Sequence, residues 1–406
     1  MHPRRALTAR GICMLALGAA ALTFGSLVGQ RELVGLGVLL VALPALSALS
    51  LSGSIGRITH HRSLSPERVP AGHDARVGVR IGNMSATWPV SSVSVQDTLP
   101  TLLGHEPRYG IGFLRPGATR DVSYLVRPAV RGVYPIGPLW VSVSDPLGCV
   151  RVSRLLGAPA PLLVTPVALP LTRAGTSDSP RGEEPPRRPV GGIGEQDPIP
   201  REYRHGDEMR RVHWRSTARH GELMVRREEQ DRRDLGAVLL DTRASAHRGR
   251  GADHSLETAV AVAASVAVHL LGSSHELHLH TDRARMDASG TDAVLDDLAL
   301  LTPSGGTSLL PGIAGLRAAP GSPALTVAVL GALSAEEATE LARTGRGRRL
   351  ALLCSEAAWA APGALAGAAD ILSSGGWQVA ALASPTELPP LWHGAVLSHS
   401  FGKGPR

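Results

Sequence analysis

Two uncharged apolar runs stand at the start of the chain, covering residues 11–29 and 33–55. Only Gln30, Arg31 and Glu32 separate them. Each run is long enough to cross a hydrocarbon core of roughly 30 Å as a helix. A cleaved signal peptide is the alternative for the first run. A second apolar run so close behind it favours a transmembrane helical hairpin.

Basic residues flank this predicted hairpin on both sides. Arg4, Arg5 and Arg10 lie in the first ten residues, and Arg57 follows the second run. Arginine is enriched in the cytoplasmic flanks of membrane spans. We therefore expect a plasma-membrane protein with a basic N-terminus (1–10), two spans and both termini in the cytoplasm.

A period of two replaces the long apolar runs from residue 66 to residue 165. Apolar residues alternate with polar ones at Ala75, Val77, Val79 and Ile81. Glycine and proline break the region into short pieces, and helical periodicity is missing. This pattern predicts an antiparallel β-sandwich module with no catalytic constellation.

The stretch 166–200 is rich in proline, glycine and charge. Such a composition does not bury enough apolar surface to fold alone. We expect an extended linker.

Apolar strands alternate with amphipathic helices between residues 235 and 395. The predicted strands are 235–240, 275–281, 324–330, 349–354 and 377–382. The predicted helices are 255–271, 291–301, 308–318, 334–344 and 357–369. This alternation predicts a three-layer α/β domain with a mostly parallel sheet, followed by a short tail over 396–406.

Composition excludes two kinds of chemistry. The net charge is +7, and Lys403 is the only lysine. A phosphate-binding P-loop and a Schiff base both need a lysine, so neither is available unless the lone lysine in the tail serves. Three distant cysteines offer neither a disulfide framework nor a CxxC zinc site.

The segment 201–234 mixes Arg, His, Asp and Trp more densely than the rest of the chain. Asp207 and Glu208 precede several arginines, the order that a helix dipole favours, so we expect a helix here. One interpretation is a structural clamp or protein-docking surface with Trp214 buried at the junction. The alternative is nucleic-acid binding, but seven acidic residues between positions 201 and 233 dilute the positive field that phosphates need. We favour the clamp or docking surface.

Conventional catalytic motifs do not follow any predicted strand, and we find no paired nucleophile and base. His278 and His280 share one face of a strand. Without a third ligand, we expect a solvent-facing or helix-covered histidine pair there. We therefore expect no enzyme activity and no cofactor.

The 201–223 stretch resembles the family called domain of unknown function 58 (DUF58). The residues that carry the resemblance are Arg201, Tyr203, Gly206, Asp207, Arg210, Val212, Trp214, Ala218, Arg219 and Leu223. Upstream, Arg131-Gly132 and Asp145-Pro146-Leu147-Gly148 are similar to the family's RG and DPFG motifs, with leucine in place of phenylalanine. The resemblance implies a membrane hairpin, a β module and a von Willebrand factor A-like domain.

The same resemblance implies partners. Members of the family are commonly encoded beside MoxR-type AAA+ ATPases and transglutaminase-like membrane proteins. It therefore implies an assembly role at the membrane, with signature residues Arg201, Tyr203, Gly206, Asp207, Arg210, Trp214 and Arg219 as the docking set.

The first strand of the α/β domain ends in Asp241-Thr-Arg-Ala-Ser245, which resembles the Asp-x-Ser-x-Ser metal motif of von Willebrand A domains. Arg243 replaces the middle serine. Thr307 is a candidate for the second element, and the third has no counterpart. The expected alternatives are a Mg²⁺ site at Asp241, Ser245 and Thr307, or an Asp241 that caps the following turn.

These observations predict a non-enzymatic, membrane-anchored interaction or assembly protein that acts with a MoxR-type ATPase. The alternatives are a nucleic-acid-binding regulator that uses residues 201–233, and a cation-dependent ligand-binding A domain.

Overall fold

The computed structural model describes residues 4–52, 54–172, 200–203, 212, 214–226, 234–273, 275–286, 288–345, 347–361 and 363–397. The chain begins with apolar helices, continues into a β-rich region and ends in a mixed α/β sheet. The three parts predicted from periodicity are thus confirmed at this level.

The apolar N-terminal runs form two helices, α1 (Ala9–Val28) and α2 (Arg31–Ser50). Both are long and apolar enough to cross a membrane. Gly29 joins them at a φ of 71°, a conformation that glycine adopts without strain. A Cβ on Gly37 of α2 would lie 2.9 Å from the carbonyl oxygen of Gly18 in α1. Small residues therefore let the two helices pack closely.

The β-rich region contains three sheets. Its strands are β1 (Arg4–Leu7), β2 (Ile58–Ser65), β3 (Arg68–Pro70), β4 (Ala75–Asn83), β5 (Val90–Asp97), β6 (Arg108–Leu114), β7 (Thr119–Val126), β8 (Gly132–Ile136), β9 (Leu139–Ser144), β10 (Val150–Leu156) and β11 (Ala160–Thr165). The sheet orders are β1-β10-β9-β5-β6, β2-β4-β7 and β3-β11-β8. Buried aliphatic side chains from all three sheets share one core.

Two expectations about this module need correction. The pairing of β3 with β11 is parallel, so the module is not purely antiparallel. Strands β1 and β2 lie outside the predicted bounds of 66–165. Neither strand stands out in the sequence, because β1 adjoins the first apolar run and β2 carries a polar run, Thr59 to Ser63, with little alternation.

The start of the predicted linker packs against the α/β domain. The amide of Leu169 donates to Ser265 Oγ at 2.9 Å, and Leu171 packs on the apolar core. Residues 166–172 are therefore not a free linker, because apolar side chains among them pack on the core of the α/β domain. Residues 173–199 lie outside the described part of the chain.

The signature segment contains two short strands and a helix: β12 (Pro200–Glu202), α3 (Trp214–His220) and β13 (Met224–Arg226). Strand β12 pairs antiparallel with β13. The predicted helix start at Asp207 lies outside the described residues.

A six-stranded sheet organises the C-terminal part. Its elements are β14 (Leu235–Leu240), α4 (Ser255–Gly272), β15 (Glu276–Thr281), β16 (Arg285–Met286), α5 (Thr291–Leu300), α6 (Leu310–Ala318), β17 (Leu325–Leu330), α7 (Ala335–Ala342), β18 (Arg348–Cys354), α8 (Ala364–Ser374), β19 (Gln378–Leu382) and α9 (Leu388–Leu397). The strand order is β16-β15-β14-β17-β18-β19, and every neighbouring pair is parallel except β15 with β16.

Helices cover both faces of this sheet. Residues of α4, α5 and α9 pack on one face, and residues of α6, α7 and α8 pack on the other. Helix α4 is apolar enough to cross a membrane, but 72% of its apolar window is buried inside the domain. Its apolar character is thus explained by its place in the core.

The five parallel strands begin and end within one residue of prediction. The helix predicted over 357–369 is wrong in position, because α8 starts only at Ala364. Gly363 precedes it at a φ of 78°, which breaks the helical path. Helix α9 was not predicted, although Leu388 and Trp392 bury its apolar face.

Arg131 joins the β module to the α/β domain. Its Nε donates to the carbonyl of Leu298 at 2.9 Å, and Nη2 donates to that of Leu301 at 2.8 Å. Nη1 forms an ion pair with Glu257 of α4. Nearby, Arg68 of β3 pairs with Asp296 of α5 at 2.5 Å.

The DPLG turn joins the β module to the hairpin. Asp145 accepts hydrogen bonds from the amides of Leu147 at 3.0 Å and Val150 at 2.6 Å. Thr8, the N-cap of α1, donates its amide to the carbonyl of Cys149 at 2.9 Å. Strand β1 also pairs with β10, so the start of α1 is held on the module that α2 leads into.

Candidate binding site at the carboxyl end of the sheet

Asp241 follows β14 at the carboxyl end of the sheet. The chain leaves β14 toward β15 on one side and reaches β17 on the other. In doubly wound sheets ligands bind at such a switch point. Asp241 is fully buried, and the Gly331 amide after β17 donates to its Oδ2 at 3.3 Å.

The guanidinium of Arg243 covers the Asp241 carboxylate. Nε donates to Oδ1 and Nη2 donates to Oδ2, each at 2.9 Å, which makes a bidentate pair. The amide of Arg243 also donates to Oδ1 at 3.1 Å. Arg243 is itself only 4% exposed. Both carboxylate oxygens therefore have partners from the protein.

Arg243 also contacts the start of α7. Nη1 donates to Glu337 Oε1 at 2.8 Å, and Nη2 donates to the carbonyl of Ala332 at 3.0 Å. Glu337 additionally accepts from the amides of Leu309 at 2.7 Å and Ser334 at 2.9 Å, the second of these within a capping box. One arginine thus bridges the ends of β14 and β17 and the start of α7.

A second buried carboxylate, Asp282, completes the polar network. The hydroxyl and the amide of Thr242 donate to its Oδ1, and Ser304 Oγ donates to Oδ2 at 2.5 Å. The Ser304 segment in turn pairs with Arg243 as an isolated parallel bridge. Asp282 is therefore fully engaged in holding the loop before α6.

Electrostatics keep Arg243 charged. Burial lowers the pKa of Arg243, but the hydrogen bond and charge of Asp241, with the charges of Glu337 and Asp282, outweigh burial and raise it. Three carboxylates surround one guanidinium, so acidic groups outnumber basic ones.

A pocket of about 510 Å³ opens above this network. Ser245 and Thr307 stand exposed at its rim, beside Glu336 and Trp359. Within the described part of the chain, Trp359 Nε1 is buried without a hydrogen-bond partner. The pocket therefore offers hydroxyl groups and a carboxylate to a partner group.

The structure also brings a serine and a histidine together, which the sequence did not indicate. His247 Nδ1 lies 3.0 Å from Ser255 Oγ, and its Nε2 lies 2.9 Å from the carbonyl oxygen of Asp241. Burial lowers the pKa of His247, although Asp241 opposes this. A neutral ring that donates from Nε2 to the carbonyl leaves Nδ1 to accept from Ser255.

Both side chains of this pair are buried, and Ser255 Oγ also accepts the amide of Arg248 at 3.1 Å. The pocket above Arg243 is lined by neither residue. We interpret the pair as a structural hydrogen bond that holds the loop after β14 against the start of α4. The two residues lie eight positions apart, and that spacing is not a motif that sequence reasoning could recognise.

The candidate metal residues do not form one ligand set. Asp241 is sealed beneath Arg243, whereas Ser245 and Thr307 lie exposed on the pocket rim. Among the described residues, we find no cluster of three His, Cys, Asp or Glu side chains suited to a metal ion. The Asp241 carboxylate caps the Arg243 amide, as the alternative for this residue predicts.

His278 and His280 are buried side by side, with ring centroids 6.4 Å apart. A Cβ on Gly315 of α6 would lie 3.5 Å from His280 Nδ1, so the helix covers this ring. Burial, followed by the charges of His278 and Arg285, lowers the pKa of His280.

The signature residues fall into two groups. Arg201, Tyr203, Trp214 and Arg219 are described, whereas Gly206, Asp207 and Arg210 lie outside the described residues. The predicted burial of Trp214 is wrong, because its side chain is 65% exposed.

Three solved structures illustrate the weak likenesses that comparison gives. The CARDB domain of the PF1109 protein from Pyrococcus furiosus, in complex with di-metal ions, is 16% identical, with a TM-score of 0.19, over 26% of this chain and 86% of that one. The solution structure of the same CARDB domain is 16% identical, with a TM-score of 0.20, over 27% of this chain and 94% of that one. The C-terminal domain of wzt is 13% identical, with a TM-score of 0.21, over 27% of this chain and 74% of that one. Scores this low carry no argument.

No curated protein matches the chain. A family model does match, over residues 200–348, and it is described as "Protein of unknown function DUF58". The match includes the signature segment, β14, Asp241, Arg243 and Glu337. The DUF58 resemblance of the signature residues is therefore supported, and residues 200–348 are the part of this chain that matches the DUF58 family.

Proposed function

We propose that this protein is a membrane-anchored interaction and assembly protein rather than an enzyme. The observation that carries the proposal is the buried Asp241–Arg243–Glu337 network. It fills the place where a doubly wound domain would hold a catalytic group or cofactor. What remains open to solvent is a pocket whose rim offers groups for binding.

We further infer that the C-terminal domain is von Willebrand A-like. In support, the sheet has a doubly wound order with one short antiparallel edge strand, and Asp241 and Ser245 follow its first strand. In this interpretation the Arg243 guanidinium takes the role of a fixed internal cation. Partner binding then needs no metal.

The partner implied by the DUF58 resemblance is a MoxR-type AAA+ ATPase. Acidic groups outnumber basic ones around the pocket, since Glu336 lies at its rim and Glu337 beneath it. The pocket accordingly suits a basic side chain on the partner's surface. The exposed Trp214 is a second candidate contact, because exposed tryptophans are frequent anchors of protein interfaces.

Both ends of the sheet carry small, exposed polar residues that make a matched pair of variants. Thr307 lies on the pocket rim, whereas Ser322 lies in the loop before β17, at the opposite end. Thr307→Arg should place a bulky like charge where the basic partner group docks. Ser322→Arg makes a similar change in size and charge away from the pocket.

The test is co-purification of the full chain from native membranes, with the retained proteins identified by mass spectrometry. An AAA+ ATPase should be retained by the unaltered chain and by Ser322→Arg, and lost with Thr307→Arg. Equal retention by all three would reject the pocket as the docking site. Retention of no ATPase by any of them would reject the proposed partner.

A further inference from the structure

The chain passes from α2 into the core of the β module within a few residues. Leu51, Ile55 and Ile58, which follow α2 directly, are all buried in the core of the module. The amide of Met84 donates to the carbonyl of Arg57 at 2.8 Å. The orientation of the module is thus fixed relative to the hairpin, and one of its ends must face whatever the hairpin enters.

Strand register identifies that end. Ile58 at the start of β2 pairs with Asn83 at the end of β4, and the Gly117 amide donates to the carbonyl of Asn83 at 3.0 Å. The β4–β5, β6–β7 and β9–β10 loops therefore lie at the hairpin end. The β9–β10 loop is the DPLG turn that holds Thr8.

Large apolar side chains are exposed at this end. Met84 is 74% exposed, Trp88 64%, Phe113 56% and Leu147 45%. The other exposed large apolar residues between 58 and 165 are Leu102, Leu125 and Val133. Four of the seven thus gather where the hairpin leaves the module, and a clustering of this kind marks a contact surface.

Positive charge accompanies these apolar side chains. Arg10 and Arg115 are exposed at the hairpin end, and Arg57 is partly exposed. None of the three forms an ion pair with another described residue, whereas Arg80 and Arg127 elsewhere in the module do. Tryptophan with unpaired arginine is typical of the membrane–water interface, where rings sit among headgroups and arginines meet phosphates.

We propose that the hairpin end of the β module lies on the membrane surface. Met84, Trp88, Phe113 and Leu147 enter the headgroup region, and Arg10, Arg57 and Arg115 contact lipid phosphates. The occupant of this surface is the bilayer itself, because the surface is continuous with the hairpin. The inference rests on the proposed membrane anchoring and adds a second, peripheral contact to it.

The test uses the full chain in vesicles of phosphatidylcholine and phosphatidylglycerol, with quencher-labelled headgroups. One fluorophore is attached at Trp88→Cys, or at Leu102→Cys as the control, each in a Cys13→Ala background, since Cys149 and Cys354 are buried. Leu102 is 72% exposed and follows the far end of β5. Labelled Cys13 in the otherwise unaltered chain reports insertion of α1.

Quenching at position 88 should approach that at Cys13 and exceed that at position 102 several-fold. If Cys13 is quenched while position 88 is quenched as little as position 102, the module does not touch the membrane, and the inference fails while the anchoring stands. If Cys13 itself is not quenched, the anchoring and the inference fail together.

Discussion

The guanidinium of Arg131 donates to the main-chain carbonyl of Leu298 at 2.9 Å, across the boundary between the β module and the α/β domain. Leu298 lies in the last turn of α5, where carbonyl groups have no helical partner and a cation is favoured. Arg131 also donates a hydrogen bond to the carbonyl of Leu301 and forms an ion pair with the Glu257 carboxylate. The Arg131-Gly132 pair therefore corresponds to a physical joint.

Arg131→Ala should loosen this joint. The change leaves Glu257 without its cation and two carbonyls without donors, and we expect a loss of roughly 3 kcal/mol. Hydrogen exchange should show faster exchange in the last turn of α5. Arg127→Ala, which removes an exposed pair with Asp74, is the matched control and should leave the exchange of α5 unchanged. Equal exchange in both variants would contradict the role of Arg131.

Arg243→Ala should destabilise the α/β domain by roughly 3–5 kcal/mol, because it leaves Asp241 and Glu337 as buried charges without a partner. Cys354 offers a local measurement. Burial raises the pKa of Cys354 to about 12, so this thiol reacts only when the domain opens.

N-ethylmaleimide should therefore label Cys354 much faster in Arg243→Ala than in the unaltered chain. Arg343→Ala, which removes an exposed arginine paired with Glu340, is the control and should keep the slow rate. A slow rate in both variants would show that the buried network contributes little to stability.

His247 should make stability depend on pH in a defined direction. Burial lowers its pKa below the ordinary value of 6.5 in the folded chain, so the unfolded chain binds a proton first as the pH falls. The contribution of neutral His247 to the free energy of unfolding is complete above about pH 6.5 and is lost progressively as the pH falls below it. Burial also lowers the pKa of His60 and of His280, so both residues add to the loss of stability as the pH falls.

The unfolding temperature of the detergent-solubilised chain should therefore fall between pH 7.5 and pH 5.5. His247→Gln should reduce this fall without abolishing it. An unchanged pH profile in that variant would contradict the lowered pKa, because it would mean that His247 has the same pKa in the folded and the unfolded chain.

The α/β strands were predictable because buried parallel strands are continuous apolar runs, as Leu235–Leu240 illustrates. The joints were not predictable. The Arg131-Gly132 motif singles out Arg131 in the sequence, but its partner carbonyl on α5 becomes apparent only when the fold brings that helix beside it. The clamp interpretation places Trp214 in the interior, but its exposure follows from packing that the local pattern does not encode.

The location of the candidate site was predictable from the sequence, but its long-range side-chain pairs were not. The position of Asp241 after the first strand indicated the right end of the sheet, and the substitution at Arg243 was visible. Periodicity does not reveal that Arg243 turns back onto Asp241 and reaches Glu337, 94 residues away. Long-range pairs of this kind depend on strand order and on the loop before α7.

The central claim is that a guanidinium, not a metal ion, satisfies Asp241, so that the domain binds its partner without a cation. Calorimetric titration of the full chain with Mg²⁺ tests it most directly, with Asp370→Ala, which removes an exposed acidic residue, as the control for surface binding. The account predicts no saturable heat in the unaltered chain or the control. Stoichiometric Mg²⁺ binding that persists in Asp370→Ala and disappears in Asp241→Ala would contradict it.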